Sequence, residues 1–158
     1  MTCILLRTEI NAPIGRVFDL ARSIGLHEHS THGTNERAVG GVTSGLIGIG
    51  QEVTWRARHF GIVQHLTVKI TKLDRPNHFQ DVMVSGAFKS LRHDHSFSEH
   101  GTGTLMIDQF DFEAPLGWLG RCAERLFLES YMRRFLLQRN QVLKEIAESE
   151  NWKQYLET

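Results

Sequence analysis

Apolar and polar residues alternate between positions 51 and 59, with Val53, Trp55, Ala57 and His59 on one side and Glu52, Thr54, Arg56 and Arg58 on the other. A period of two is the spacing of a strand with one buried face. Residues 62–73 continue the pattern, placing Ile62, Gln64, Leu66 and Val68 together, and Gly61 allows the reversal between the two runs. After the turn Asp74-Arg75-Pro76-Asn77, further strands are predicted over 79–85, 88–99 and 104–112, with a hairpin turn at 100–103. At the front, residues 2–10 read as a strand. Asn11-Ala12-Pro13 then opens a helix running to about Ser23, since proline in a first turn costs no hydrogen bond. A short helical turn over 24–29, a brief strand over 36–39 and a glycine-rich loop over 40–50 complete the first third.

Beyond Pro115 the period changes. From 116 to 149 the apolar residues Leu119, Ala123, Leu126, Phe127, Met132, Phe135, Leu136, Val142, Leu143 and Ile146 recur at helical spacing, and no glycine follows Gly120. The spacing predicts one long helix packed on the concave face of the sheet, of roughly 45–50 Å at 1.5 Å per residue. Trp118 is expected to pack into the core at the start of that helix. Arg133, Arg134 and Arg139 are read as a solvated basic stretch with ion pairs such as Glu129–Arg133. Residues 1–150 therefore form one domain, followed by a polar tail over 151–158 that is expected to be frayed or loosely docked.

The fold class is α+β: a curved antiparallel sheet wrapped around a single long helix. One helix touches such a sheet along one stripe only. The remaining space is either filled by large side chains or kept as a pocket, and pockets of this kind are mostly apolar with a few fixed polar groups.

Composition changes this picture little. Among 158 residues, Lys plus Arg and Asp plus Glu number 18 each, so no net field draws the chain to nucleic acid or an anionic membrane. No stretch approaches the roughly 20 apolar residues of a membrane span, and the N-terminus lacks a basic leader and cleavage site. A cytoplasmic setting is expected. It suits the two lone cysteines, Cys3 in the first strand and Cys122 in a helix, which are read as small hydrophobes.

Alternation also nominates the interior chemistry. The inward faces carry Trp55, His59, Gln64, Phe79, Asp81, Met83, Met106, Asp108, Phe110 and Phe112. In the 88–99 strand, Leu91 and Phe97 at the ends of one face turn His93 and His95 inward. Buried His and Asp are costly unless paired, so His93 or His95 is expected to hydrogen-bond Asp108 on the adjacent strand. That pair either satisfies the interior or serves as a general base whose tautomer the carboxylate fixes. His93, His95 and Asp108 are thus the candidate catalytic groups, and the other inward residues line the ligand site. The segment His27-Glu28-His29-Ser30-Thr31-His32 is rich in metal-capable side chains, yet reads as an exposed polar loop at the pocket mouth. No metal and no cofactor is called for, and Gly45-Leu46-Ile47-Gly48-Ile49-Gly50 precedes a strand, unlike a phosphate loop.

Ala12-Pro13 followed by Val17-Phe18, the segment 91–97, the run 103–108 and Phe110-Asp111-Phe112-Glu113-Ala114-Pro115-Leu116-Gly117 together resemble the START-like superfamily. That superfamily includes polyketide cyclase-like, birch-pollen-allergen-like and lipid-transfer START proteins. The last stretch is similar to bacterial single-domain members, some labelled cell-division inhibitor-like. The resemblance covers nearly the whole chain and implies a helix-grip fold with a cavity. Function in the superfamily runs from transport to cyclisation and dehydration. Three readings follow: binding of a small apolar or amphipathic molecule, a cyclase or dehydratase using the His–Asp pair, or an interaction protein with a filled pocket.

Overall fold

A computed structural model describes residues 1–157. Strand β1 (Thr2–Ile10) leads to helices α1 (Ile14–Ala21) and α2 (Ile24–Ser30), then to β2 (Arg37–Gly41), β3 (Glu52–His59), β4 (Ile62–Asp74), β5 (His78–Ser85), β6 (Ser90–His100) and β7 (Gly103–Glu113). The strands form one curved antiparallel sheet in the order β1-β7-β6-β5-β4-β3-β2. Consecutive strands from β2 to β7 are neighbours, while β1 crosses to pair with the last strand, Thr2 opposite Phe112. Gly103 begins β7 where a Cβ would lie 2.3 Å from the Ile10 carbonyl oxygen, so only glycine lets the two strands meet there.

Helix α3 (Gly117–Ala123) passes through a π-helical stretch, Glu124–Leu128, directly into helix α4 (Glu129–Ala147). The predicted long helix is thus continuous, but its winding is not uniform. A π-helical stretch takes more residues per turn than an α-helix, so the apolar stripe changes phase across it. Met132, Leu136, Leu143 and Ile146 after it are buried, whereas Leu116, Trp118, Leu119, Leu126 and Phe127 before or within it are exposed. The expectation that Trp118 packs into the core fails for that reason; it is 66% exposed.

The core has two apolar clusters. One gathers Phe18, Leu20, Leu26, Val53, Trp55, Ile70, Phe79, Phe97 and Met106 against Leu143 and Ile146. The other gathers Ile4, Leu6, Leu91, Phe110 and Phe112 against Met132 and Leu136. The tail is folded: helix α5 (Lys153–Leu156) follows a turn in which Trp152 stacks under Arg16, and Trp152, Tyr155 and Leu156 pack on the first cluster. Those apolar residues, spaced to share a face, outweigh the tail's polar ones. Both cysteines are exposed, Cys3 because it lies on the outer face of β1. Ile62, predicted inward, is also exposed because it opens β4 at the sheet's rim.

Candidate functional site

Between the two clusters the interior turns polar. On β6 the buried face is Leu91, His93, His95 and Phe97, as the apolar ends of the strand imply. Cross-strand register sets Asp81 of β5 opposite His93, and Asp108 of β7 opposite His95. The side chains then cross diagonally: His95 donates from Nε2 to Asp81 Oδ1 at 2.9 Å, and His93 donates from Nε2 to Asp108 Oδ1 at 2.9 Å. His95 Nδ1 is 3.1 Å from Asp108 Oδ1, an ion-pair contact without the alignment of a hydrogen bond. The two imidazoles lie 3.7 Å apart, with Phe79 stacked on His95 at 4.1 Å.

Helix α4 supplies the groups that alternation along strands does not find. Arg139 donates from Nη2 to Asp108 Oδ1 at 3.0 Å, and Asn140 donates from Nδ2 to Asp108 Oδ2 at 2.6 Å. Arg139 Nε is tied to Asn140 Oδ1 at 3.2 Å. Arg139 is therefore buried, not part of the solvated basic stretch, although Glu129–Arg133 does form the exposed pair expected, at 3.7 Å. Both residues fall between Leu136 and Leu143, where a helix face that touches Asp108 must be polar.

The charges in this cluster balance. Burial opposes ionisation of Asp108, but Arg139 and the two imidazoles hold its carboxyl well below the usual range. Asp81 is likewise held low against burial by its bond from His95. Burial also opposes a charged His95, yet Asp108 and Asp81 outweigh it and raise its pKa. His93 goes the other way: burial, then repulsion from His95, push it down to about 4, so it is neutral at pH 7. Two carboxylates thus face one guanidinium and one imidazole whose charged form they favour. Isolated buried ions cost several kcal/mol each, and such a cluster persists only when its lone pairs and protons are matched.

A cavity of about 280 Å³ lies between sheet and helix α4. Its apolar wall includes Trp55, Leu66, Phe88, Phe110, Tyr131 and Phe135. Of the residues nominated by sequence, Trp55, His59, Gln64, Asp81, His93 and Phe110 line it. His95 and Phe79 instead line a smaller space of about 80 Å³ behind Trp55, Asp81, His93 and Arg139. Met83, Met106 and Phe112 line neither; Met106 and Phe112 are fully buried in the two clusters. Asp108 lies behind His93 and Arg139, completely enclosed.

A second polar group escapes the alternation pattern. Glu36, just before β2, is buried in the cavity wall beside His27 of α2, which stacks on Trp55 at 4.0 Å. His59 is hydrogen-bonded to Tyr131 Oη at 2.6 Å. The sequence signal for Glu36 is weak, since it sits in a glycine-rich stretch with no alternation long enough to assign a face. The 27–32 segment is mostly helix rather than loop, with His27 inside and His29 joined to Tyr155 of the tail. Among the described residues, the metal-capable group whose ligand atoms converge is Asp81, His93 and His95, within 4.8 Å of one another. The His95–Asp81 hydrogen bond and the close contact of the two imidazoles account for that closeness, and Arg139 beside them opposes a cation.

No family model matches the sequence, and no curated protein matches it either. Solved structures do match. Protein TTHA0849 from Thermus thermophilus superposes with a TM-score of 0.75 at 18% identity, over 91% of this chain and 95% of its own. Protein CV1439 from Chromobacterium violaceum gives 0.73 at 11% identity, over 95% and 100%. The ginseng major latex-like protein 151 from Panax ginseng gives 0.67 at 17% identity, over 94% and 98%. Likeness at such low identity concerns architecture and says nothing of ligand. What the sheet, the long helix and these superpositions establish together is that this chain has the START-like, helix-grip fold.

Proposed function

We propose that the protein binds a small, largely apolar molecule in the cavity between the sheet and helix α4. The observation that carries this reading is an open space of about 280 Å³ between apolar walls, whose polar floor of Asp81, His93 and Arg139 is already hydrogen-bonded within the protein. A cavity of that size, close to the lower end of ordinary ligand pockets at roughly 300 Å³, suits a molecule of one to three rings. A filled, vestigial pocket has no support in such a space.

The same geometry weighs against a cyclase or dehydratase. A general base works best with a pKa near the operating pH. His93, at about 4, is too weak a base for that. His95 has the stronger affinity for a proton but lies between two carboxylates, out of the larger cavity. In this reading His93, His95 and Asp108 fix the shape of the cavity floor, while Trp55, His59, Gln64, Asp81 and Phe110 meet the ligand.

The test is a fluorescence titration with the uncharged probe N-phenyl-1-naphthylamine, alongside native mass spectrometry of gently purified protein. Ala57 is buried on the cavity wall. Ala57→Trp should fill the space and weaken probe binding at least tenfold. A folded Ala57→Trp protein that binds the probe like the wild type would sink the proposal.

A further inference from the structure

When the buried charges are paired off, one carboxylate is matched less closely than the others. Asp81 and Asp108 have His95 and Arg139 as partners at 2.9 and 3.0 Å. Glu36 has only a longer ion-pair contact, with His27. It is 6% exposed, lines the larger cavity, and its Oε2 has no hydrogen-bond partner among the described residues. The facing group is His27, whose Nε2 is 3.4 Å away, also without a hydrogen bond, and which brings a charge only when protonated. The next imidazole, His59, is bound to Tyr131, and burial lowers its pKa, so it is neutral at pH 7. Burial pushes the Glu36 carboxyl upward, but His27 above all, then His59 and the Thr31 hydroxyl, hold it below its ordinary range. The cavity wall therefore presents a buried carboxylate that one imidazole alone faces closely.

The surroundings favour a cation over other ligands. Trp55 and Tyr131 both line the cavity, and the electron-rich face of an aromatic ring attracts an ammonium group. An anionic ligand would face Glu36 and Asp81. The guanidinium that would have to receive it, Arg139, is already engaged by Asp108 and Asn140. A neutral hydrocarbon would leave the buried carboxylate without a donor. We infer that Glu36 is the seat of an ammonium group, so that the ligand of this cavity is a small apolar amine with an aromatic or branched aliphatic body. Its N–H groups donate to the Glu36 carboxylate, its charge offsets that group, and its body lies along Trp55 and Leu66 towards Phe110.

The inference rests on the cavity being a ligand site, and the experiment separates the two. Tryptamine, tryptophol and indole-3-propionate share one ring system and carry a cation, a neutral hydroxyl and an anion. In isothermal titrations at pH 7, the wild type should bind tryptamine at least tenfold more tightly than either of the others. Glu36→Gln should weaken tryptamine at least tenfold and change tryptophol less than threefold. Equal affinities for the three in the wild type, or no binding of tryptamine, overturn the inference. The wild-type ranking decides this even if Glu36→Gln does not fold. N-phenyl-1-naphthylamine then tells how much falls: if it binds and Ala57→Trp blocks it, only the amine assignment is wrong. If the probe does not bind the wild type, the cavity reading fails as well.

Discussion

Asp108 is completely buried and faces His93, His95, Arg139 and Asn140 at once, so the charge balance of the interior turns on this one carboxylate. Removing one partner of a buried ion pair costs about 3–5 kcal/mol, because the other charge is left stranded. Asp108→Ala should lose that much in guanidinium unfolding, and Asp108→Asn, which keeps an acceptor, should lose less. A loss below about 1 kcal/mol for the alanine variant would mean the cluster contributes nothing to holding the domain together. The imidazoles add a pH dependence of opposite signs. His93 titrates near 4 when folded against an ordinary 6.5, so between those values the unfolded chain takes up the proton first and stability falls as pH falls. At 1.36 kcal/mol per unit the loss is roughly 3 kcal/mol. His95, raised, contributes stability that is present below the ordinary imidazole value and is lost as pH rises through its folded value. Thermal melts from pH 4 to 9 should therefore peak near pH 6.5, and His93→Gln should flatten the acid limb. Three of these residues, His93, His95 and Asp108, are legible from alternation along β6 and β7. Arg139 and Asn140 are not, because an arginine two turns from Arg133 on a charged helix looks solvated until the partner across the interior is known.

At the scale of elements, the long helix is two helices joined by a change of winding. Its length and its position on the sheet follow from the apolar spacing, since a period near 3.6 over about thirty residues has no other reading. The phase shift through Glu124–Leu128 does not, because residue types alone do not reveal a local π turn. The two ends should consequently respond differently to truncation. Leu136→Ala and Leu143→Ala, both buried, should each cost about 2–5 kcal/mol. Trp118→Gln and Phe127→Gln, both exposed, should each change stability by less than about 0.5 kcal/mol. Urea midpoints measured on the four variants check this, and a large loss at Trp118 would place that end of the helix in the core. The strands are legible almost as they stand. The short β2 begins one residue later than the sequence suggests, which moves Glu36 out of a strand of unassigned face and into the cavity wall.

For the molecule as a whole, Trp55 is the natural reporter of the cavity, buried on its wall and stacked on His27. In a Trp118→Phe, Trp152→Phe protein its emission should shift on binding of cyclohexylamine or another apolar occupant without near-ultraviolet absorption. No change at saturation would contradict occupancy of this space. Edge strand β2 holds only five residues and one bulge, between Ala38 and Gly40, so its amides should exchange with solvent well before those of β6 and β7.

The pairing of β1 with β7 sets the order in which the protein can be made. Thr2 finds its partner only when Phe112 exists, and Ile4 and Leu6 are covered only when Met132 and Leu136 follow. At roughly 5–20 residues per second on the ribosome, the first strand waits on the order of 5–20 s with an apolar edge unpaired. Every residue from β2 to β6 is synthesised in that interval, and none of them takes the place of β7 in the finished sheet. The nascent chain therefore completes its sheet at the end, in one step, and a ribosome stalled before Gly103 holds a polypeptide whose opening segment has nothing to pair with.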